Sequence, residues 1–188
     1  MAARPQTDCA LTALGYALLG LIHQQPRSGY GLRKVFATTP MGHYSGSPGA
    51  IYPCLGRLEK QGLIEGQVDR KKSLRPRKIF RLTHQGLEVL RQWLHQLPTR
   101  DDVVHRLDLL LLRFAFMTGL VDSAATIRFL EALKTEGRAY LDYLRRVEDE
   151  IAQAPLHGRL ALQHGIQVFE AHRKWVERAL RQFKEEKL

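Results

Sequence analysis

The residues from Arg70 to Arg81 include seven lysines or arginines among twelve and no acid. Cations at that density suit a row of phosphates, because each one that neutralises a phosphate releases condensed counterions. A second group lies just upstream, in Ala50-Ile51-Tyr52-Pro53-Cys54-Leu55-Gly56-Arg57-Leu58. Ile51, Leu55 and Leu58 recur at i, i+4 and i+7, the apolar stripe of a helix. The other side carries Ala50, Cys54, Arg57 and Gln61, with Tyr52 and Lys60 on its flanks. Glu59 is the only carboxylate. A helix with a small and polar N-terminal face can approach base edges in a major groove.

Other residue types capable of chemistry do not assemble. Cys9 and Cys54 stand 45 residues apart with no paired spacing, which excludes a disulfide framework and a structural zinc motif. Eight histidines form no HExxH, and no Gly-x-Ser-x-Gly occurs. His105 with Asp108, and His157, His164 and His172 at spacings of 7 and 8, read as polar helix faces. The loop Gly42–Gly49 has neither the GxGxxG spacing nor the Gly-Lys-Ser/Thr of a phosphate cradle. An enzyme, a metal site and a bound cofactor are not expected.

Charge locates the chemistry. The chain has 188 residues and a formal net charge of +10. Residues 1–98 hold 14 Lys and Arg against 5 Asp and Glu, or +9, whereas residues 99–188 hold 15 against 14, or +1. The polyanion-binding half is N-terminal. A near-neutral C-terminal half suits packing or dimerisation.

Elements follow from periodicity and caps. Residues 1–8 read as a tail. Helices are expected over 10–24, 29–38 with Ser28 as N-cap, and 48–61 with Ser47 as N-cap, Pro48 in the first turn and Gly62 closing it. Two short strands follow, at 63–68 and 78–82, flanking the basic tip. Thr83 then caps a helix over 84–97, with Leu87, Leu90, Leu94 and Leu97 on one face. Pro98 marks the boundary between a DNA-binding domain at 9–98 and a helical domain at 99–188. The latter reads as helices over 99–118, with Thr99 as N-cap, 123–153 and 157–185. The apolar run 10–22 falls at helix spacing and lacks a cleavage site, so it reads as core rather than as a signal peptide. Val103–Leu120 carries Arg106, Asp108 and Arg113 and is too charged to span a bilayer.

Three short helices, a hairpin with a basic tip and another helix make a winged helix-turn-helix. The expected fold class is mainly α with a small β-hairpin, followed by an antiparallel, coiled-coil-like helical dimerisation domain. A membrane-surface module would need a basic amphipathic helix, and here the bases surround Pro76 on a hairpin. Phe114, Phe116, Tyr140, Tyr143, Phe169 and Trp175 could line a ligand pocket, although helical apolar stripes more often pack as core. Cys54, placed on the exposed side of its helix, would be positioned to sense oxidation, but an ordinary small residue is the simpler reading.

The stretch Leu18–Gly86 resembles the PadR family of transcriptional regulators. The resemblance is carried by Leu18-Leu19-Gly20-Leu21, Gly29-Tyr30-Gly31-Leu32, Ser47-Pro48-Gly49-Ala50-Ile51-Tyr52-Pro53-Cys54-Leu55, Arg57-Leu58-Glu59-Lys60-Gln61-Gly62-Leu63-Ile64 and Arg77-Lys78-Ile79-Phe80-Arg81-Leu82-Thr83. The C-terminal helices resemble its longer subgroup. Ser28, Phe80 and His84 depart from its common His, Tyr and acid. The resemblance implies a cytoplasmic homodimeric repressor acting on a pseudopalindromic site in double-stranded DNA and released in some members by a small aromatic or hydrophobic ligand. An activator or co-regulator of the same fold without an effector is the alternative. By this resemblance Tyr30, Ser47, Gly49, Ala50, Tyr52, Pro53 and Arg57 would face DNA, with Arg70, Lys71, Lys72, Arg75, Arg77 and Lys78 as the wing. Leu11 and Leu14 of the first helix would join Leu130, Leu141, Leu144, Ile166, Phe169, Trp175, Val176 and Leu180 in dimerisation.

Overall fold

A computed structural model describes residues 11–45, 48–69 and 77–185. The tail, Ser47 and the hairpin tip Arg70–Pro76 lie outside the described residues. The chain divides into two compact units, Met1–Gln92 and Trp93–Leu188. The division falls inside one helix, before Pro98.

The first unit contains α1 (Ala13–Gln24), β1 (Arg27–Ser28), α2 (Gly29–Thr38), 3₁₀ turns at Pro40–Ser45 and Pro48–Ala50, α3 (Ile51–Lys60), β2 (Ile64–Asp69), β3 (Arg77–Leu82) and the start of α4 (His84–His95). Side-chain caps fix the helix starts. Thr12 Oγ accepts from the Gly15 N–H at 3.3 Å, Ser28 Oγ from Gly31 at 3.1 Å, and Thr83 Oγ from Gly86 at 3.0 Å. The C-terminus of α3 closes in a Schellman arrangement, in which the Gly62 N–H donates to Glu59 O and the Leu63 N–H to Leu58 O. Gly62, at φ 70°, takes the left-handed turn.

The expected helix over 48–61 is shorter in the structure. Its first residues form the 3₁₀ turn, and α3 starts at Ile51 with no side-chain cap. Pro53 supplies the reason. An α-helix from residue 48 would place this proline in its interior, without an N–H and with its ring against the carbonyl of residue 49. Starting at Ile51 puts Pro53 in the first turn, where no N–H is needed.

The hairpin pairs in register from Ile64 with Leu82 to Asp69 with Arg77. β1 adds a third antiparallel strand, giving the order β1-β3-β2, with Arg27 opposite Phe80. Two residues are too short to show a period, so no pattern announces β1. Leu18, Leu19 and Ile22 of α1, Leu32 of α2, Ile51, Leu55 and Leu58 of α3, and Ile64 are fully buried. The α3 stripe is therefore core, as its spacing predicts. The unit is a winged helix-turn-helix.

The second unit contains α5 (Arg100–His105), α6 (Leu107–Ala115), α7 (Ser123–Glu150) and α8 (Leu156–Glu185). The single helix expected over 99–118 is two, broken at Arg106, whose φ and ψ of −139° and 34° are not helical. No Gly or Pro announces the break, and the apolar spacing runs through it. Thr99 and Asp102 form a reciprocal capping box, and Asp122 caps α7 by accepting from the Ala125 N–H at 2.6 Å. The long helices α7 and α8 form an antiparallel hairpin, with Arg145 to Glu170 at 2.8 Å and Lys184 to Glu131 at 3.3 Å. Among the described residues, no helix is long and apolar enough to cross a membrane.

Candidate nucleic-acid interface

Burial divides α3 into two faces. Ile51, Cys54, Leu55 and Leu58 are buried, whereas Tyr52, Pro53, Gly56, Arg57 and Lys60 are exposed, in line with Gly49 of the preceding turn. Cys54 is a correction. The sequence places it on the exposed side, yet it is only 3% accessible, because it packs with the apolar stripe. Burial also pushes its thiol pKa up, against the opposing pull of Arg57. A neutral, enclosed thiol is unsuited to sensing oxidation. Gly56, which no sequence motif marks as functional, sits at the middle of the exposed face with open space around it. Its lack of a side chain leaves room for close approach by a groove.

Tyr52 is 53% exposed and its ring lies over Gly29, where a Cβ would meet Cε1 at 2.7 Å. The contact joins the start of α3 to the start of α2. Next to Gly29, Tyr30 is 57% exposed and has the Arg33 guanidinium 5.7 Å from its ring centroid. Tyr30, Gly49, Tyr52, Pro53 and Arg57 are therefore accessible, and Ala50 is half-buried. Arg77 is exposed where β3 leaves the tip. Lys78 is exposed too, but its ammonium lies 2.7 Å from Glu59. Ser47, Arg70, Lys71, Lys72 and Arg75 fall outside the described residues.

The residues expected at a dimer contact take two forms. Leu14 is buried in the first unit, and Leu11 is half-buried. Leu141, Leu144 and Ile166 form one buried cluster, with Tyr140, Leu162 and Phe169 packed against it. Leu130, Val176 and Leu180 are buried as well. Trp175 meets Phe114 edge-on at 5.4 Å. Most of this set is therefore taken up in packing within one chain. The outer face of α8 leaves Leu156, Leu160 and Val168 exposed.

Of the six aromatic residues that could line a pocket, Phe169 does. It borders a narrow cleft of about 20 Å³, room for one water, between α5, α6, α7 and α8, with Val103, Leu133, Val176, His172 and Arg138. His172 Nδ1 is buried there without a hydrogen-bond partner. Phe116 is core.

The sequence divides between two family models. Residues 18–92 match the transcriptional regulator PadR-like family, and residues 108–184 match the virulence activator alpha C-terminal family. The negative transcriptional regulator PadR of Bacillus subtilis (strain 168) is 27% identical over 146 residues, which is 77% of this chain and 78% of the relative. Solved structures of Bacillus subtilis PadR include one with operator DNA (21% identity, 90% of this chain and 98% of that one, TM-score 0.43) and one with p-coumaric acid (21% identity, 97% and 99%, TM-score 0.42). A PadR-like transcriptional regulator from Bacillus cereus strain ATCC 14579 is 33% identical over 43% of this chain and 77% of its own, with a TM-score of 0.38. The family model and these relatives are named as regulators of transcription. On the strength of the sequence matches rather than the superpositions, the chain belongs to the PadR-like family of transcriptional regulators.

Proposed function

We propose that the protein is a cytoplasmic homodimeric repressor that binds a pseudopalindromic operator in double-stranded DNA. The observation that carries this is the exposed face of α3, with Gly49, Tyr52, Pro53, Gly56 and Arg57 in one row and a hairpin whose tip sequence is basic and acid-free. In this reading the row enters the major groove, Tyr30 and Tyr52 meet the sugar–phosphate backbone, and the wing residues Arg70, Lys71, Lys72, Arg75 and Arg77 hold phosphates. Two heads separated by one helical turn, roughly 34 Å, would read the two half-sites. Repression is favoured by the Bacillus subtilis relative, which is a negative regulator.

Dimerisation is assigned to the second unit. Ala161, His164, Val168 and Ala171 recur along the exposed side of α8 at alternating spacings of 3 and 4. That uncharged seam suits a second copy of the same helix. An effector is the third part of the proposal. The cleft bordered by Phe169 and His172 has apolar walls and cationic side chains at its edge, a chemistry that matches a small aromatic ligand once the helices part to widen it.

Replacing Arg70, Lys71, Lys72 and Arg75 together with Ala tests the wing. Affinity is expected to fall on every duplex sequence. The dependence of log K on log salt should become shallower by about 0.9 for each phosphate that the variant no longer neutralises. An unchanged salt slope would overturn the wing assignment.

A further inference from the structure

The ammonium of Lys78 spans the carboxylate of Glu59, at 2.7 Å from each oxygen. Lys78 lies on β3, one arm of the hairpin, and Glu59 on the last turn of α3. The lysine stem crosses the neighbouring strand over Gly66, in the space a Cβ there would fill, with Cγ and Cδ both 2.9 Å from that position. Its Nζ also stands 5.5 Å from the ring centroid of Phe80, which is buried. A strand glycine, an aromatic face and a carboxylate thus fix one long side chain that would otherwise be mobile.

We propose that Lys78 and Glu59 form a strap that sets the angle of the wing against α3, so that Lys78 is a positioning residue for DNA binding and does not itself bind phosphate. The proposal rests on reading α3 and the hairpin as the DNA interface. Glu59 is the only carboxylate of α3, and the strap neutralises it on a surface that must approach phosphates within a Debye length. The pair is partly exposed, so it adds little to folding stability. Its effect belongs to the orientation of the two DNA-facing elements.

The strap and plain electrostatics predict opposite signs for one variant. Glu59→Gln removes a negative charge from the proposed interface, so simple attraction to a polyanion would tighten binding. With a strap, affinity for a duplex selected from a random pool by the wild-type chain falls about three- to fivefold. Affinity for a random-sequence duplex does not fall. Lys78→Met keeps the stem and removes the charge. It should weaken the selected duplex by a similar factor with the salt slope unchanged, whereas a lysine that neutralised a phosphate would take about 0.9 off that slope when replaced. The exchanged pair Glu59→Lys with Lys78→Glu should recover the selected-duplex affinity to within about twofold. Thermal unfolding should be close to wild type throughout, which separates positioning from loss of fold. Tighter binding by Glu59→Gln, a shallower slope for Lys78→Met, or no recovery in the exchange would each overturn the strap. Failure of the wild-type chain to bind any duplex would remove the interface reading and the strap with it.

Discussion

At the scale of single residues, burial decides which chemistry is available. Cys54 sits one position before Leu55 and shares its enclosure, so its thiol stays protonated at neutral pH. Native protein should label at Cys54 with iodoacetamide far more slowly than denaturant-unfolded protein, as read by peptide mass spectrometry. Equal rates would place the thiol on the surface. His172 is the second case. Burial holds its pKa below the usual 6.5, and burial with the charge of Arg91 does the same for His23. The unfolded chain therefore binds protons first as pH falls below about 6.5. Stability is whole above that value and is lost as pH drops through the folded pKa. His172→Gln cannot titrate, so its Tm should decline less than that of wild type between about pH 7 and pH 5. An identical decline would remove His172 as a source of acid sensitivity.

At the scale of elements, the joints matter more than the interiors. Thr83 makes two bonds at once: its hydroxyl accepts from the Gly86 N–H at 3.0 Å and donates to Gly62 O at 2.6 Å. It therefore ties the start of α4 to the turn that ends α3. Thr83→Ala should cost about 1–2 kcal/mol in denaturant unfolding, the upper range for a cap because two bonds go together. Thr83→Ser should restore most of it. A cost below a few tenths of a kcal/mol would show that water replaces both bonds. Pro53 illustrates the same principle from the other side. It forces the α-helical hydrogen bonds of α3 to begin late, and this fixes which residues share the exposed face.

At the scale of the whole molecule, assembly turns on the exposed side of α8. If α8 carries the dimer seam, Val168→Glu places a charge in its middle without entering the intrachain core, since Val168 is exposed while Ile166 and Val176 are buried. Sedimentation equilibrium should then show a wild-type dimer of 21.5 kDa chains and a variant shifted to monomer. Helix content should be unchanged. A dimer that persists in the variant would move the interface elsewhere.

Much of this architecture is legible in local signals. Ser28, Thr83 and Thr99 are cap residues in sequence and caps in the structure, because capping is decided within three residues. Ile51, Leu55 and Leu58 are core because a 3.6-residue period can face only one way. The seven bases of the hairpin need no fold to be noticed. Long-range packing settles what such rules leave open. Cys54 follows the buried stripe rather than the polar face, since the width of a helix's buried side depends on what packs against it. β1 exists only because β3 offers an edge to pair with. The break at Arg106 leaves no trace in the apolar spacing, because Val103, Leu107 and Leu110 keep helical intervals across it. Lys78 and Glu59, 19 positions apart, become partners only when the hairpin lies beside α3. The order of residues alone suffices for the basic head, its helices and its family. Which lysine meets a carboxylate, and which is left to meet a phosphate, is settled only in the folded chain, because that depends on distances between elements that no local spacing encodes.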